Sequence, residues 1–477
     1  MIELPRNQIA YIRSVIRQAL GVTSHGLKPV ITLQAGPEGL RVSAASAHVA
    51  VEHRIAGAHA PQSFAVPYEA FKACEGRQAD RASLERVGQT VRVRWMEAGI
   101  PQSVDFDTVE PAKIPPLPTF QPVDARFLPA MADACATTEA DSTRYALHCV
   151  RLRGSDGQIA ATDGRQALIQ TGFEFPWDDE VLVPACGVFT RKEFQQAHSV
   201  AIGRSDDWLT IRADDWTVWL RIEKNARFPA VDQQIPETSS ARTTLDLSED
   251  DAVFLDQAAR RLPGAGERNS PVTLDLNGAV VVRAKSGEQS SVTDLVLRNS
   301  RRQGEELKVS SNREYVRRAI QLGFREIHFR DADAPAFCRD DRRTYFWAVL
   351  GKQAVLKSDA SATRIESSSV GRAARVAMTK PVASPSHQSP IPDPIRNRFH
   401  MTTPSTNRIQ QSTTDSAAAN GKTLSALIEE GEQLRATLRE VLSRTSALVV
   451  GLKRQRQQSN AMRTALKSLR AMQTIEV

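Results

Sequence analysis

The sequence predicts an α+β protein in which one unit of two helices and several antiparallel strands occurs three times, followed by a segment of different composition. Two observations support this prediction. The chain has 477 residues, too many for one ordinary hydrophobic core and enough for about three domains. A pattern of glycine, a short β-like run, alanine and small polar residues also repeats. Its three copies are GLRVSAASAH (39–48), GQIAATDGRQ (157–166) and GAVVVRAKSGEQ (278–289).

A helix is predicted on each side of every copy. The helices ahead of the copies cover 6–20, 125–135 and 249–262, and the last begins with SEDD, which offers a serine N-cap and an acidic first turn. The helices behind the copies lie in PYEAFKACEG, PACGVFTRKEFQQAHS and SSNREYVRRAIQLG. Alternating or β-branched runs such as QTVRVRW, WLTIRADDWTVWLRIE and VTLDLNGAVVVRA predict antiparallel strands between and after these helices.

The composition changes after the third unit. We predict domains at 1–118, 119–240 and 241–354, then a disordered linker at 355–420 that is rich in Ser, Thr, Pro and Ala. Residues 421–475 predict a coiled coil or helical hairpin, with one amphipathic helix packed on the body as the alternative. The apolar residues at heptad spacing there are Leu424, Leu427, Leu434, Leu438, Val441, Leu448, Leu452, Met462, Leu466 and Leu469.

The net positive charge of the chain is located in its last part. From residue 360 onward there are 17 Lys and Arg against 8 Asp and Glu, whereas the preceding residues hold 45 against 47. Nucleic acid would therefore contact the body through local patches and not through its net field. Charges interrupt the first apolar stretch and no run reaches the ~18 apolar residues of a membrane span, so we expect a cytoplasmic protein. The five scattered cysteines favour buried thiols over disulfides or a zinc site.

Basic residues are concentrated on the predicted helices, although the body is net acidic. On helices that face a duplex, such side chains would contact phosphates without reading the base sequence, so binding would be salt-sensitive and mobile. Ordinary solvated helix faces are the alternative interpretation. The residues expected to face DNA are Arg13, Arg17, Lys72, Arg191, Lys192, Arg260, Arg313, Arg317 and Arg318.

Several segments resemble the bacterial sliding clamp, the beta subunit of DNA polymerase III. RYALHCVRLRGSDGQIAATDGRQAL is similar to the central-domain hairpin of that family, VLVPACGVFTRKEF to a helix entry, and ARFPAVDQQIP to its G-R-F-P-D-Y segment. IPPLPTF lies where the first interdomain link would be, and RTYFWAVL lies where the family ends. The resemblance covers about residues 1 to 352 and is strongest in the middle third.

The resemblance implies a head-to-tail homodimer of three clamp domains per subunit, closed into a ring around double-stranded DNA. Helices would line the hole and continuous sheets would form the outside. Such a ring is a processivity factor with no cofactor and no catalytic site; it tethers DNA polymerase, meets clamp-loader subunits and works in the bacterial cytoplasm at the nucleoid. The predicted C-terminal coiled coil departs from the family and would add self-association or a partner site.

The resemblance also carries a partner-peptide pocket onto this chain. In this pocket, Arg165-Gln166-Ala167 replaces His-Arg-Leu. Such smaller or polar walls would weaken the binding free energy of the family's usual peptide by ~1–2 kcal/mol for each lost apolar contact. On the residues alone, Asp163-Gly164 is a good hairpin turn. The implied pocket residues are Leu147, Thr162, Gly164, Arg165, Gln166, Ala167, Pro229, Gln233, Gln234, Phe346 and Ala348.

For the ring interface, the resemblance implies Val104 and Phe106, in SVDFDTVE, against the region near Leu262 in the third domain of the other subunit. An ordinary half-buried edge strand is the alternative for the first two residues. The alternative function is a clamp-fold paralogue that serves as a repair or structural scaffold and does not encircle DNA.

An enzyme is a third interpretation, suggested by pairs of acidic residues. No GxxxxGK[ST] loop, HExxH helix or Ser/Cys–His arrangement accompanies these pairs in the sequence. Acidic pairs are more often solvated turns or helix starts, so we expect no catalytic site. The pairs are Asp178-Asp179, Asp250-Asp251 and Asp340-Asp341.

Overall fold

The computed structural model describes residues 1–26, 28–139, 145–287, 291–357, 359 and 361–368. All of them lie in one compact unit, Met1–Val382. The predicted coiled coil at 421–475 and most of the predicted linker lie outside the described residues, and the predicted domain boundaries stay predictions.

The described chain contains one series of elements three times: a strand, a helix, four strands, a second helix and three strands. We call these copies the first repeat (2–107), the second repeat (121–221) and the third repeat (243–347). The first repeat comprises β1 (Ile2–Pro5), α1 (Arg6–Ala19), β2 (Val30–Gly36), β3 (Gly39–Ala45), β4 (Val49–Ile55), β5 (Gln62–Pro67), α2 (Tyr68–Cys74), β6 (Arg81–Val87), β7 (Thr90–Glu97) and β8 (Ile100–Asp107).

The second repeat follows the same series, with a 3-10 helix (Gly187–Thr190) leading into its short second helix. Its elements are β9 (Gln121–Pro122), α3 (Phe127–Cys135), β10 (Cys149–Arg153), β11 (Gln158–Thr162), β12 (Gln166–Gln170), β13 (Glu180–Pro184), α4 (Lys192–Gln195), β14 (Val200–Arg204), β15 (Trp208–Ala213) and β16 (Trp216–Arg221). A connector with 3-10 helices at Val231–Gln234 and Thr238–Ser240 leads to the third repeat.

The third repeat has one additional strand, β21, and is followed by a further strand, β26. Its elements are β17 (Thr243–Asp246), α5 (Glu249–Ala259), β18 (Pro271–Asp275), β19 (Val280–Ala284), β20 (Thr293–Leu297), β21 (Arg301–Gly304), β22 (Lys308–Asn312), α6 (Arg313–Gln321), β23 (Glu326–Phe329), β24 (Ala336–Arg339) and β25 (Arg343–Trp347). A 3-10 helix (Lys352–Ala354) and β26 (Thr363–Glu366) come after it.

The strands are ordered in the same way in each repeat. One group runs β5-β2-β3-β4, β13-β10-β11-β12 and β22-β18-β19-β20 in the three repeats, and the other runs β1-β6-β7-β8, β9-β14-β15-β16 and β17-β23-β24-β25. Neighbouring repeats join by one rule: the last strand of the first group pairs antiparallel with the last strand of the second group in the next repeat. Thus β4 pairs with β16, and β12 pairs with β25, which makes continuous sheets of eight and nine strands.

The two ends of this series differ. At the first repeat, β8 pairs with β7 alone among the described strands, so its other edge is open. At the third repeat, β20 is covered by β26, which runs parallel to it with Thr363 opposite Thr293. The prediction of a disordered linker from residue 355 is therefore wrong at Thr363–Glu366. The main-chain groups of β20 supply hydrogen bonds that the local composition does not reveal.

The helices pack against the sheets through apolar stripes. In α1 the buried side chains include Ile9, Ile12, Val15 and Ile16, at the spacing of one helical face. They belong to a core shared by the first two repeats, while a second core fills the third repeat. The expectation of two helices on antiparallel sheets is confirmed in each repeat, although α4 has only one turn.

Candidate functional site

The implied peptide pocket lies where β12 of the second repeat meets β25 of the third. Ala167 is opposite Phe346 in this pair, and Thr162 is opposite Ala167, so these three side chains share one face of the sheet. Both apolar side chains are buried there: Ala167 is 2% and Phe346 is 7% exposed. They belong to a third apolar cluster, in which Phe228 and Val231 of the connector cover the same face.

The turn between β11 and β12 is held by its own side chains. The Asp163 carboxylate accepts the backbone N–H groups of Arg165 and Gln166, each at 2.8 Å. The Thr162 hydroxyl donates to the Gln166 carbonyl at 2.6 Å and accepts the Gly164 N–H at 2.9 Å. Gly164 has a φ of +86°, which a residue with a Cβ adopts only with strain. The stretch is a rigid turn beside the pocket.

Polar contacts fix this turn to the third repeat. Tyr315 donates its hydroxyl to Asp163 at 3.2 Å, and the Tyr345 hydroxyl donates to the Gln166 side chain. Burial raises the pKa of Tyr315 to about 12, and the nearby Asp163 carboxylate adds to this effect. Arg165 donates to Asn269 at 3.2 Å. Two of the residues that depart from the family pattern are thus engaged between the repeats.

The remaining pocket residues lie around these buried ones. A Cβ built on Gly164 would be 3.5 Å from a Leu147 methyl group, and the Ala348 N–H donates to the Arg165 carbonyl. Gln233 and Gln234 are exposed on the connector, whose Asp232 is 2.9 Å from Arg151 and 3.1 Å from Arg153. Burial raises the pKa of Asp232, but these two guanidinium groups lower it further, to a net decrease.

The assembled pocket is therefore a polar surface over a filled apolar cluster. Leu147 and Pro229 are half-buried, whereas Gly164, Arg165, Gln233, Gln234 and Ala348 are exposed. Polar exposed groups favour hydrogen-bonding or acidic peptide side chains over apolar anchors. The use of this surface for peptide binding stays a prediction.

The residues expected to face DNA fall into two groups. Arg17, Lys72, Lys192 and Arg260 are exposed and form no salt bridge with another described residue. They lie on α1, α2 and α4 and at the C-terminal end of α5. That these four side chains contact phosphate stays a prediction.

Arg313 is the clearest departure from that expectation. It is 1% exposed, and its guanidinium donates to five backbone carbonyl groups, including those of Ala259 and Leu262 at the end of α5. Burial lowers the pKa of Arg313, and the charges of Glu314 and Glu267 offset only part of this decrease. The residue caps a neighbouring helix and is not available to DNA. Arg6 makes the reciprocal contact in the first repeat, donating to the carbonyls of Cys74 and Glu75 at the end of α2.

The other four arginines form salt bridges with carboxylates. Arg13 pairs with Glu75, and Arg191 pairs with Glu193 at 3.1 Å. Arg317, 6% exposed, pairs with Asp256 of α5 at 3.1 Å, and Arg318 of the third repeat pairs with Asp133 of the second at 3.1 Å. The partners of Arg13, Arg317 and Arg318 are distant in sequence and could not be read from it, whereas Glu193 is only two residues from Arg191. Their guanidinium groups are already engaged in the described structure.

The implied interface residues lie at the two ends of the series of repeats. Val104 and Phe106 are on β8, on the same sheet face as the buried Val93 and Val91. Phe106 packs on the core, whereas Val104 is 40% exposed. Leu262 is 5% exposed and lines a groove of about 730 Å³ beside α5 and β20. The structure does not bring these residues together within one chain.

The acidic pairs have structural partners. Asp179 pairs with Arg204, Asp340 accepts the N–H groups of Arg342 and Arg343, and buried Asp251 accepts bonds from Asn299 and Ser300. Within the described ranges, no group of three or more His, Cys, Asp or Glu residues is placed to hold a metal ion. None of the described helices is both long and apolar enough to cross a membrane.

Sequence reasoning missed two features of these sites. One is β26, whose β-branched Thr363 and Ile365 lie in a segment otherwise rich in Ser and Ala. The other is the pair of tyrosines that meet the turn, Tyr315 and Tyr345, the second of which lies in the segment RTYFWAVL. The aromatic run in that segment was the available signal, because buried tyrosines need a hydroxyl partner.

Comparison with known proteins identifies the fold. Neither a protein-family model nor a curated protein matches the chain by sequence. A DNA polymerase III beta subunit, a sliding clamp, from Pseudomonas aeruginosa superposes with a TM-score of 0.59 at 15% identity, covering 73% of this chain and 98% of that one. Beta subunits from Streptococcus pneumoniae TIGR4 and Thermotoga maritima superpose at 0.57 and 14% identity with the same coverage. The described chain has the fold of a bacterial sliding clamp, in a divergent sequence.

Proposed function

We propose that this chain is a divergent DNA sliding clamp: two copies associate head to tail, encircle duplex DNA and tether a DNA polymerase and other partners to it. The clamp fold supports this proposal. The observation that carries it is the rule by which the repeats join. Since β4 pairs with β16 and β12 with β25, the same rule applied to β20 calls for β8, whose outer edge has no partner among the described strands.

The sheet that ends in β8 carries exposed apolar side chains. Among the described residues with large exposed apolar side chains, Val87, Met96, Ile100 and Val104 lie on β6–β8. Val104 is on the face that is buried elsewhere in this sheet, and only a further element beyond β8 would cover it. An exposed apolar edge of this kind favours association by strand addition.

The four exposed basic side chains supply the DNA contact in this proposal. They lie on helices that pack on the sheets, and their side chains point away from the cores. Lysine and arginine contacts to phosphate carry no base specificity, so the ring would slide. The chain performs no bond chemistry in this role, and partner peptides would bind at the polar surface between the second and third repeats.

The test separates encirclement from simple affinity. The full chain is incubated at high concentration with nicked circular duplex, then passed through a sizing column at about 0.3 M salt, which weakens phosphate contacts strongly. We expect protein to stay with the circle and to be lost after a single restriction cut. Equal retention on circular and linear duplex would refute encirclement, and light scattering of the free protein gives its mass.

The second candidate is a scaffold of clamp fold that does not encircle DNA. One observation favours it: β26 already covers the edge of β20 that the joining rule assigns to a second copy. A protein that stays monomeric at all concentrations and shows no retention on circles would support this candidate.

A further inference from the structure

The strand β26 occupies the position that a neighbouring repeat fills elsewhere. Val51 of β4 faces Val218 of β16, and Leu168 of β12 faces Tyr345 of β25, both on the core side. At the third position, buried Leu295 faces Ile365 of β26. Ile365 therefore takes the place of a residue from the next repeat.

This substitute buries little of its own side-chain surface. All four residues of β26 are exposed, and Ile365 is 45% exposed. The segment is anchored mainly through its backbone: the Thr363 N–H donates to Val292 and the Ser367 N–H to Val296, each at 2.9 Å. At its end, Arg298 pairs with Glu366, and the Arg298 N–H donates to the Ser367 hydroxyl at 3.0 Å. The strand is also parallel to β20, and parallel pairs are slightly less stable than antiparallel ones. A short exposed strand with few buried side chains opens easily.

The groove beside β26 is incompletely filled. It has a volume of about 730 Å³ and is lined by Phe254, Ala258 and Leu262 near α5, with Leu295 and Ile365 on the sheet. At the junction of the first two repeats, the corresponding space is packed, with Trp216 of β16 stacked on His53 of β4 and bonded to Tyr11 of α1. The groove thus has room for more apolar side chains than Ile365 provides.

We propose that β26 is a detachable cap on the edge of β20, and that it competes for this edge with β8 of a second copy of the chain. The identity of the competitor rests on the head-to-tail association in the proposed function. Apolar side chains support the match, since Ile100 and Val104 are exposed on β8 and Phe254, Ala258 and Leu262 line the groove. Release of the cap from β20 would uncover an edge and a groove that β8 can fill.

The first experiment weakens the cap in the full chain. Thr363→Pro removes the N–H that bonds to Val292, whereas Thr363→Ala keeps it. We expect the dimer dissociation constant, measured by sedimentation, to fall roughly five- to tenfold in Thr363→Pro and to stay unchanged in Thr363→Ala. Adding Val104→Lys to Thr363→Pro should abolish the gain, because a charge on an edge strand opposes pairing. A gain that survives Val104→Lys, or no gain, overturns the proposal.

The second experiment locks the cap. Thr293 and Thr363 are register partners, and adjacent strands bring paired Cα atoms within disulfide range. The Thr293→Cys, Thr363→Cys double variant should be monomeric when oxidised and should regain association when reduced, while Thr363→Cys alone should not respond. Equal association in both redox states overturns the proposal.

The two proposals can fail separately. If the locked, oxidised chain is retained on circular DNA as well as the reduced chain, the cap proposal fails and encirclement stands. If association follows the cap as expected but no form is retained on circles, the cap proposal stands and encirclement fails.

Discussion

Replacing Arg313 tests whether this residue stabilises the third repeat or binds DNA. Its guanidinium is almost fully buried and makes no salt bridge with a described residue. Arg313→Met keeps most of the aliphatic volume and removes all the donors. The carbonyls that lose a partner belong to Ser270, Ala259, Leu262, Pro263 and Pro271, at 3.1, 3.1, 2.7, 2.6 and 3.1 Å.

Five hydrogen bonds at about 1 kcal/mol each contribute about 5 kcal/mol. Burial of the cation without a paired carboxylate costs part of this, as the lowered pKa of Arg313 indicates. We therefore expect Arg313→Met to lower the free energy of unfolding by about 3 kcal/mol, measured by urea titration. A loss below about 1 kcal/mol would refute the capping role.

Arg260→Met is the matched control, since it also removes one positive charge at the end of α5 but from an exposed position. We expect it to change stability by no more than about 0.5 kcal/mol. It should instead lower the slope of log affinity for duplex against log salt by about 0.9, as one lost phosphate contact does. The same slope change in folded Arg313→Met would contradict the assignment.

Two further predictions concern the carboxylates of Asp275, which is buried, and Asp163, which is half-buried. Burial raises the pKa of Asp275, but hydrogen bonds from Arg283 and Lys308 lower it by more, so the folded pKa lies below the unfolded value of about 3.9. The carboxylate therefore stabilises the fold fully above about pH 3.9, and this stabilisation is lost as the pH falls through the folded pKa. The melting temperature of Asp275→Asn should lie below that of the unsubstituted chain at pH 7 and approach it below about pH 4. Asp163→Ala removes the acceptor for Tyr315 and for two turn N–H groups, so we expect the free energy of unfolding, measured by urea titration, to fall by about 2 kcal/mol. The pKa of Tyr315, measured by ultraviolet titration with Tyr315→Phe as the control, should fall below about 12. An unchanged pKa would show that burial alone raises it.

Most of the repeated architecture could be predicted because its signals are local. The spacing of Ile9, Ile12, Val15 and Ile16 specifies one buried face of α1 without knowledge of the rest of the chain. Ser248 is the predicted cap of α5, and its side chain accepts the Asp251 N–H as expected. The turn at Asp163-Gly164 likewise depends on neighbours in sequence.

The site residues were harder to predict, because their roles depend on distant partners. Arg313 and Arg260 look alike in the sequence, yet one caps a helix end about fifty residues away and the other is exposed. Ala167 and Phe346 can each be compared with the pocket pattern of the clamp family from sequence alone. Their burial cannot be read in this way, because it depends on the connector, which folds over both residues. The sequence identifies the charged or polar group at a position, but the packing of distant residues determines whether that group is exposed to solvent or already bonded.

The capped edge bears on how copies of this chain could assemble. Each repeat offers one strand edge to the repeat before it and one to the repeat after it, so a chain with both terminal edges open would add copies head to tail. Such heterologous contacts give rings when the rotation closes and filaments when it does not. A cap on β20 stops growth at that end, while the outer edge of β8 pairs with no described strand. Under the cap proposal, association then requires an exchange of strands, so the stability of β26 on β20 sets the protein concentration at which copies join.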